Sequence, residues 1–421
     1  MPKEKTAKSN YFEIIMDIFS KKLYFMNTSN TPKILYANPV FLDYRLPFYK
    51  YLNELFQGNF YVLYSVNRYH RPGFEHLLFK IQDVMGNNAI PYEGELVYDT
   101  FTKKINEFAP EQGGKKIPIA KGLFSLIRKQ KADIIISEGF FQWTPLLVLY
   151  TFFTRKPLYI GYERTMHTER NAGWIKVLHR KLTDYFVTGY LVNGSETVKY
   201  LKSIGVNDEK IHIGGMNADS EGLVSAIAQM TDKDKKKLKK EYQQTQGLLF
   251  LFSGQMVERK GVKYLLQAWV EHVKSYPDDN LMLLGDGYLY DSLRLQYGNI
   301  SSIHLLGKVN YAQVYKYYSI ADVFIMPTIE DNWSLVVPEA MACGLPVATS
   351  IYNGCYPELV KKDLNGMVFD TFNMHTIIDT LASFHKHDLK AMGEESKKIE
   401  ANFSAKQCAQ RVYEAVIKGL K

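Results

Sequence analysis

Short apolar runs bounded by polar turns recur along the chain, with stretches of helical spacing between them. Residues 32–39, 60–64, 132–137, 157–162 and 210–213 read as strands of a first half. Residues 185–188 and 189–192 read as a closely spaced strand and turn. Helices are expected as far as Leu55 after a loop over 40–47, and over 196–204, where Gly205 ends the run. The pattern then restarts. Residues 247–253, 280–285, 303–306 and 321–327 are strand-like, and helices are expected over 261–273 and 312–320. Strands alternating with helices predict a parallel α/β sheet in each half. Ligands of such sheets sit beyond the carboxyl ends of the strands, so two facing sheets would hold theirs in the cleft between them.

The boundaries follow from shifts in this pattern. Residues 1–32 form an N-terminal extension, polar at first and then apolar with scattered charge. It reads as a short amphipathic helix that either lies on a membrane surface or packs on the first domain. Residues 33–218 form the first domain, 219–245 a charged linker, 246–400 the second domain, and 401–421 a C-terminal helix able to pack back on the first. The lysine-rich run over 232–241 is a solvated helical face.

Composition narrows the classes. The chain has 421 residues, enough for two or three domains, and 46% hydrophobic content excludes long disorder. Its net charge of +8 comes with no zinc-finger spacing and no dense Arg/Lys stripe, so nucleic acid is not an expected partner. The two readings of that charge are a solvated basic surface and contact with an anionic membrane or phosphate. Three cysteines imply a reducing compartment and no disulfide framework. The longest apolar run, 140–153, contains Gln142 and Pro145 and is too short to span a bilayer. No N-terminal segment has signal-peptide form, so the expected location is cytoplasmic, with the inner face of the membrane as the site of any peripheral contact.

The densest chemistry lies over residues 328–350. Pro338 suits a first helical turn, Gly344 stops the helix, and Asp331 and Glu339 flank its start eight positions apart. Free amides at such a start can hold an anionic group, and a carboxylate within the helix can accept hydrogen bonds from ligand hydroxyls. Residues 253–261 bring Arg259 and Lys260 to a strand–helix turn, a reasonable phosphate site. Residues 163–171 (ERTMHTERN) crowd Glu163, His167 and two arginines at a strand's carboxyl end. Gly285-Asp-Gly287 reads as a structural turn. Walker, dinucleotide and closed metal-site patterns are missing from the sequence.

Taken in order, residues 252–261 (FSGQMVERKG), 284–287 (LGDG), 306–308 (LGK), 321–327 (ADVFIMP), 330–347 (EDNWSLVVPEAMACGLPV) and 353–358 (NGCYPE) resemble the retaining, nucleotide-sugar-dependent glycosyltransferases of group 1, the glycogen-synthase-like family of GT-B architecture. The resemblance is strongest over residues 246–370. It implies two facing Rossmann-like parallel-sheet domains with the ligand between them. It also implies that Arg259 and Lys260 meet the donor diphosphate, with the amides of Ser334, Leu335 and Val336 around the distal phosphate. Glu339 would bind the ribose, and Lys308 and Val309 would border the base. Asp331, with Glu163 or His167, would serve the transferred sugar, and Asp43, Tyr44 and Arg45 the acceptor. No metal and no cofactor are expected beyond the donor itself.

The chain departs from the family pattern where Asp331 replaces a Glu, where Gln255 replaces an Arg, and where Glu163 stands near the position of a first-half His. The implied activity is retaining transfer from a UDP-sugar, or a GDP-sugar, to a glycan or lipid-linked acceptor in cell-surface polysaccharide synthesis. The alternatives with the same motifs are a non-catalytic nucleotide-sugar-binding protein and a nucleotide-sugar epimerase.

Overall fold

The computed structural model describes residues 31–70, 73–99, 104–106, 116–218, 220–242 and 247–419. The extension read over 1–32 lies outside them except for its last two residues, and Asp219 lies outside them too.

Strands β1 (Ile34–Ala37), β2 (Phe60–Ser65) and β3 (Ala89–Tyr92) begin a parallel sheet. The chain then makes a small antiparallel sheet from β4 (Glu95–Asp99), β5 (Lys104–Asn106) and β6 (Lys116–Ala120). It returns with β7 (Ile134–Glu138), β8 (Leu158–Tyr162), β9 (Gly189–Val192) and β10 (Ile211–Ile213). The order across the first sheet is β10-β9-β8-β7-β1-β2-β3, all parallel. The second sheet uses β11 (Leu249–Ser253), β12 (Asn280–Leu284), β13 (Ile303–Gly307), β14 (Val323–Met326), β15 (Val347–Ser350) and β16 (Gly366–Phe369). Its order is β13-β12-β11-β14-β15-β16, again all parallel.

Each sheet therefore reverses its winding once, between β1 and β7 in the first and between β11 and β14 in the second. On either side of such a point the connecting loops leave toward opposite faces, and a crevice opens at the carboxyl ends. The parallel two-domain architecture implied by the motifs is the one observed.

The burial pattern explains the winding. Ile34, Tyr36, Ile134 and Ile136 enter one apolar cluster of the first domain, while Leu35, Ala37 and Ile135 enter another on the opposite face. Successive side chains of a strand point to opposite sides, so apolar residues at every position require helices on both faces. The helix Ala405–Lys418 supplies part of that cover. Its Cys408, Ala409, Val412 and Val416 are buried with β1 and the helix Arg45–Leu55, and Tyr413 packs on Phe56 with ring centroids 4.9 Å apart. The last helix of the chain is thus built into the first domain.

One expected strand is absent. Residues 185–188 form a turn instead, because the helix Trp174–Asp184 runs up to it and the amides of Phe186 and Val187 bond back to Thr183 and Asp184. In the linker, Glu221–Ala228 and Asp232–Tyr242 are helices. The second is mostly exposed, but Leu238 and Tyr242 pack against the core of the second domain and Lys239 pairs with Asp322 at 2.6 Å.

The chain leaves the first domain near Asn217 and returns near Ser404. These crossings touch where the Ser220 hydroxyl donates to Glu400 Oε1 at 3.2 Å. Burial pushes the Glu400 carboxyl up from 4.5 to about 6, against the Ser220 bond and with help from Glu221. The folded chain keeps this proton between about pH 4.5 and 6 while the unfolded chain has lost it, so stability falls as pH rises through that window. Glu400→Gln should therefore stabilise the protein at pH 7.5 by at most about 2 kcal/mol. The gain should vanish at pH 4, and urea unfolding at both pH values reads the difference.

Candidate functional site

At the reversal point of the second sheet, β11 ends in a loop and a single 3-10 turn, Glu258–Lys260. Gly261 follows with φ 67° and lies so close to the end of β14 that a Cβ there would meet Pro327 O at 1.9 Å. The carbonyl of Arg259 accepts from the amide of Ile329 and the hydroxyl of Thr328. This contact sets Lys260 beside the segment after β14. Its buried ammonium lies 2.5 Å from Asp331 Oδ2, and the half-exposed Arg259 lies 3.7 Å from the same oxygen. The Ser334 hydroxyl donates to it as well, at 2.7 Å. Burial opposes ionisation of Asp331, but Lys260, Ser334 and Arg259 together hold its carboxyl below the ordinary range. Gln255 Oε1 accepts from Arg259 at 3.4 Å, so the residue at the expected arginine position orients the cation beside it.

The helix Val336–Ala342 begins three residues after Trp333, with Leu335 as its N-cap. The Ser334 amide already donates to Asn353 Oδ1 at 3.3 Å. Among the described residues, the amides of Leu335 and Val336 have no backbone partner, as befits a first turn. Glu339 is buried in this helix. Tyr311 OH donates to its Oε1 at 3.0 Å and Tyr318 OH to its Oε2 at 3.3 Å. Both tyrosines belong to the helix Tyr311–Tyr318, which directly follows Lys308 and Val309. Lys308 is exposed and Val309 half-buried.

The first sheet has its own charged cluster at its reversal point. Arg45, in the first turn of the helix after β1, reaches Glu163 Oε1 at 2.7 Å and Glu138 Oε1 at 3.2 Å. Tyr36 donates a short hydrogen bond to Glu138 Oε2. Burial raises the Glu138 carboxyl, Arg45 pulls it down, and Glu163 adds to the rise. Burial also works against the Arg45 charge, but the surrounding carboxylates keep it protonated. Asp43 turns away to Lys80 at 2.9 Å and His76 at 3.5 Å, while the Tyr44 carbonyl accepts from Asn217. Of the three acceptor-side residues expected from sequence, Arg45 bonds Glu163 and Tyr44 lies close to it, since burial and then the Glu163 charge hold the Tyr44 hydroxyl above its ordinary range.

The two domains touch around the cleft. His167 Nε2 bonds Ile329 O at 2.8 Å and its ring packs on Tyr352. Arg170 pairs with Glu330 at 2.8 Å. Glu358 Oε1 accepts from the amide of Ser195 at 2.6 Å, close enough that a Cβ on Gly194 would lie 2.8 Å from the carboxyl. His167 therefore faces the loop that carries Asp331, whereas Glu163 is held back by Arg45. Glu138, Tyr36, Tyr311 and Tyr318 escaped the reading of the sequence, and Asn353 was legible only as the first residue of the run 353–358. The one local signal was Glu138 as the first acid after a buried strand.

Gly285-Asp-Gly287 is a turn whose Asp286 carbonyl accepts from Met256 at 2.9 Å. Among the described residues one group has the ligand types of a metal site, His272, Asp279 and His385. Asp279 bonds both imidazoles, at 2.8 and 2.9 Å, and the Leu248 amide at 2.7 Å. It precedes β12 and so lies at the amino edge of the sheet, away from the cleft.

Residues 233–402 match the family model described as Glycosyl transferases group 1. The chain is 29% identical over 171 residues to an uncharacterized glycosyltransferase of Methanocaldococcus jannaschii, covering 39% of this chain and 47% of that protein. It is 30% identical over 165 residues to the alpha-monoglucosyldiacylglycerol synthase of Acholeplasma laidlawii, covering 38% and 39%. The match thus spans less than half of either relative. Among solved structures, HepE of Anabaena in complex with UDP is similar with a TM-score of 0.69 at 14% identity, covering 92% of this chain and 100% of that one. A likeness at that identity shows the shared fold.

Removing Arg45 would leave Glu138 and Glu163 as unpaired neighbours. Arg45→Met should cost about 3–5 kcal/mol at pH 8. The loss should shrink toward pH 5, because the raised pKa of Glu138 lets a proton take the place of the guanidinium. Denaturant unfolding across this range gives the answer, and a pH-independent loss would contradict the assignment.

Proposed function

We propose that the protein is a retaining glycosyltransferase, a reading supported by the match of residues 233–402 to the model of the group 1 glycosyl transferases. It moves a sugar from a nucleotide-sugar, a UDP-sugar in preference to a GDP-sugar, to a glycan or lipid-linked acceptor in cell-surface polysaccharide synthesis. The observation that carries this reading is the pairing of Lys260 with Asp331 at one reversal point, with Glu339 in the helix that follows. The UDP in the similar Anabaena structure and the monoglucosyldiacylglycerol in the name of the Acholeplasma relative favour the donor and acceptor classes.

The chemistry follows from charge. As the bond between the sugar and the diphosphate stretches, negative charge gathers on the leaving group and positive charge on the anomeric carbon. A donor diphosphate arriving at Lys260 replaces Asp331 as the partner of the ammonium. Arg259 and the amides of Leu335 and Val336 add further donors. The released Asp331 keeps the Ser334 hydroxyl as a donor and then lies beside the sugar. Glu339 accepts from Tyr311 and Tyr318, which fix its carboxylate where the ribose hydroxyls would meet it. Lys260 and Arg259 together supply the charge a divalent ion would otherwise bring, so turnover should persist in chelator.

A panel of UDP- and GDP-sugars with a lipid extract tests the proposal, and the anomeric configuration of the product tests retention. Lys260→Ala and Asp331→Asn should each lower kcat/KM by about 10²–10³. Glu339→Gln should raise KM and leave kcat nearly unchanged. The second reading is a nucleotide-sugar-binding protein without turnover, favoured by the shorter Asp331 and its tie to Lys260. Nucleotide binding that Asp331→Ala leaves intact, with no product from any donor, would decide for it. An epimerised sugar formed without acceptor would point to an epimerase instead.

A further inference from the structure

The helix Trp174–Asp184 is built inside out. Its buried side is polar. Arg180 pairs with Glu169 at 2.9 Å, bonds Tyr200 OH and lies over the rings of Phe140 and Tyr162, while Thr183 is buried beside it. Apart from Val177, which packs against the core, its apolar residues face outward instead. Trp174 is 73% exposed and Ile175 65%, and Leu178 and Leu182 continue the same face. A surface helix in water has the reverse arrangement.

The outward face continues onto the neighbouring helix Thr144–Thr154. Phe152 packs edge-on to Phe186 with ring centroids 5.8 Å apart, and Phe141 stacks on His179 at 4.9 Å. Phe153 stands 71% exposed beside them. The next helix, Leu123–Gln130, joins through the contact of Phe124 with Tyr150. Contiguous apolar surface of this kind on a folded domain marks a binding face.

Charge identifies the occupant. Segments 121–131, 144–156 and 174–186 hold nine Lys or Arg residues and a single acid, Asp184; of the nine, Arg180 faces inward, and Lys156 and Lys176 pair with Asp133 and Glu169. Lys129, Arg155 and Lys181 are exposed among the aromatic rings. A second copy of the chain meeting this face about a two-fold axis would set like charges against one another. A bilayer rich in anionic lipid satisfies both features, taking Trp, Phe and Leu into its interface and Lys and Arg among its head groups.

We propose that this face of the first domain docks on an anionic membrane surface, through the helices Trp174–Asp184 and Thr144–Thr154. No described helix is long and apolar enough to cross a membrane, so the attachment is peripheral. The placement suits the cleft. Trp174 follows Arg170, which reaches across to Glu330, by four residues, and Phe141 follows Glu138 by three. A molecule held in the bilayer would present its head group at the cleft mouth. The docking itself is independent of the transfer reaction, and its test reads lipid binding alone.

Trp174 reports directly, because Trp143, Trp269 and Trp333, the other three tryptophans, are buried. The full chain is mixed with vesicles of phosphatidylcholine alone or with phosphatidylglycerol added. The phosphatidylglycerol vesicles should sediment the protein at low salt, less so at high salt, and brominated lipid should quench its tryptophan fluorescence. Phe153→Ser with Trp174→Ser should lower the bound fraction by at least about tenfold. Arg155→Glu with Lys181→Glu, which keeps the apolar residues, should weaken binding to phosphatidylglycerol vesicles alone. Leu295→Ser, at a leucine 87% exposed on the second domain, should change nothing. Failure to bind phosphatidylglycerol vesicles would overturn the proposal. So would binding that survives both double variants, or light scattering that shows the Ser variant converting a dimer to a monomer. Release of nucleotide from a water-soluble donor should be the same in the Ser variant and the parent chain, which separates failure of docking from failure of catalysis.

Discussion

The reversal of winding within each parallel sheet is the constraint on which the rest of the structure depends. Strands that are apolar at every position must be covered on both faces, and a chain that covers both must change direction once. At that point alone two loops part, leaving backbone ends and side chains unpacked at the carboxyl edge. Both reversal points in this protein are filled by opposed charges. Arg45 with Glu138 and Glu163 fills one, and Lys260 with Asp331 fills the other. Charges taken out of water are stable only in pairs, so each crevice stays polar without exposing the hydrophobic sheet beneath it.

Much of the fold could be read from the sequence because buried parallel strands announce themselves as short continuous apolar runs. The runs at 132–137 and 247–253 became β7 and β11 within a few residues. The small sheet of β4, β5 and β6 was illegible, since short antiparallel strands outside the main core carry no such run. Residues 185–188 misled for the opposite reason. Their Tyr, Phe and Val suit a strand, yet Tyr185 is 81% exposed in a turn on the outward apolar face of the preceding helix.

The site divides in the same way. Glu339, Lys260 and Asp331 stood out because each lies in a compact run whose order and spacing resemble a family. The Arg45 cluster had no such signal. Its members lie 93 and 118 positions apart in sequence, and only the pairing of β1 with β7 and of β7 with β8 brings them together. The tyrosines that hold Glu339 belong to a helix whose pattern announced packing, and the hydroxyls gave no hint of their partner. Residues that act through neighbours distant in sequence are legible only after the topology is known.

The return of the C-terminal helix to the first domain has a mechanical consequence. Two covalent strands join the domains, near Asn217 and near Ser404, and the bond between Ser220 and Glu400 holds them side by side. A single connection would leave the halves free to twist as well as to part. Two adjacent connections act as a hinge with one axis, so the cleft opens like a book whose spine lies at these crossings. The contacts His167–Ile329, Arg170–Glu330 and Ser195–Glu358 then behave as latches across the pages. Parting of the two domains about this spine would break all three together, which ties the width of the cleft to the position of the entire first domain.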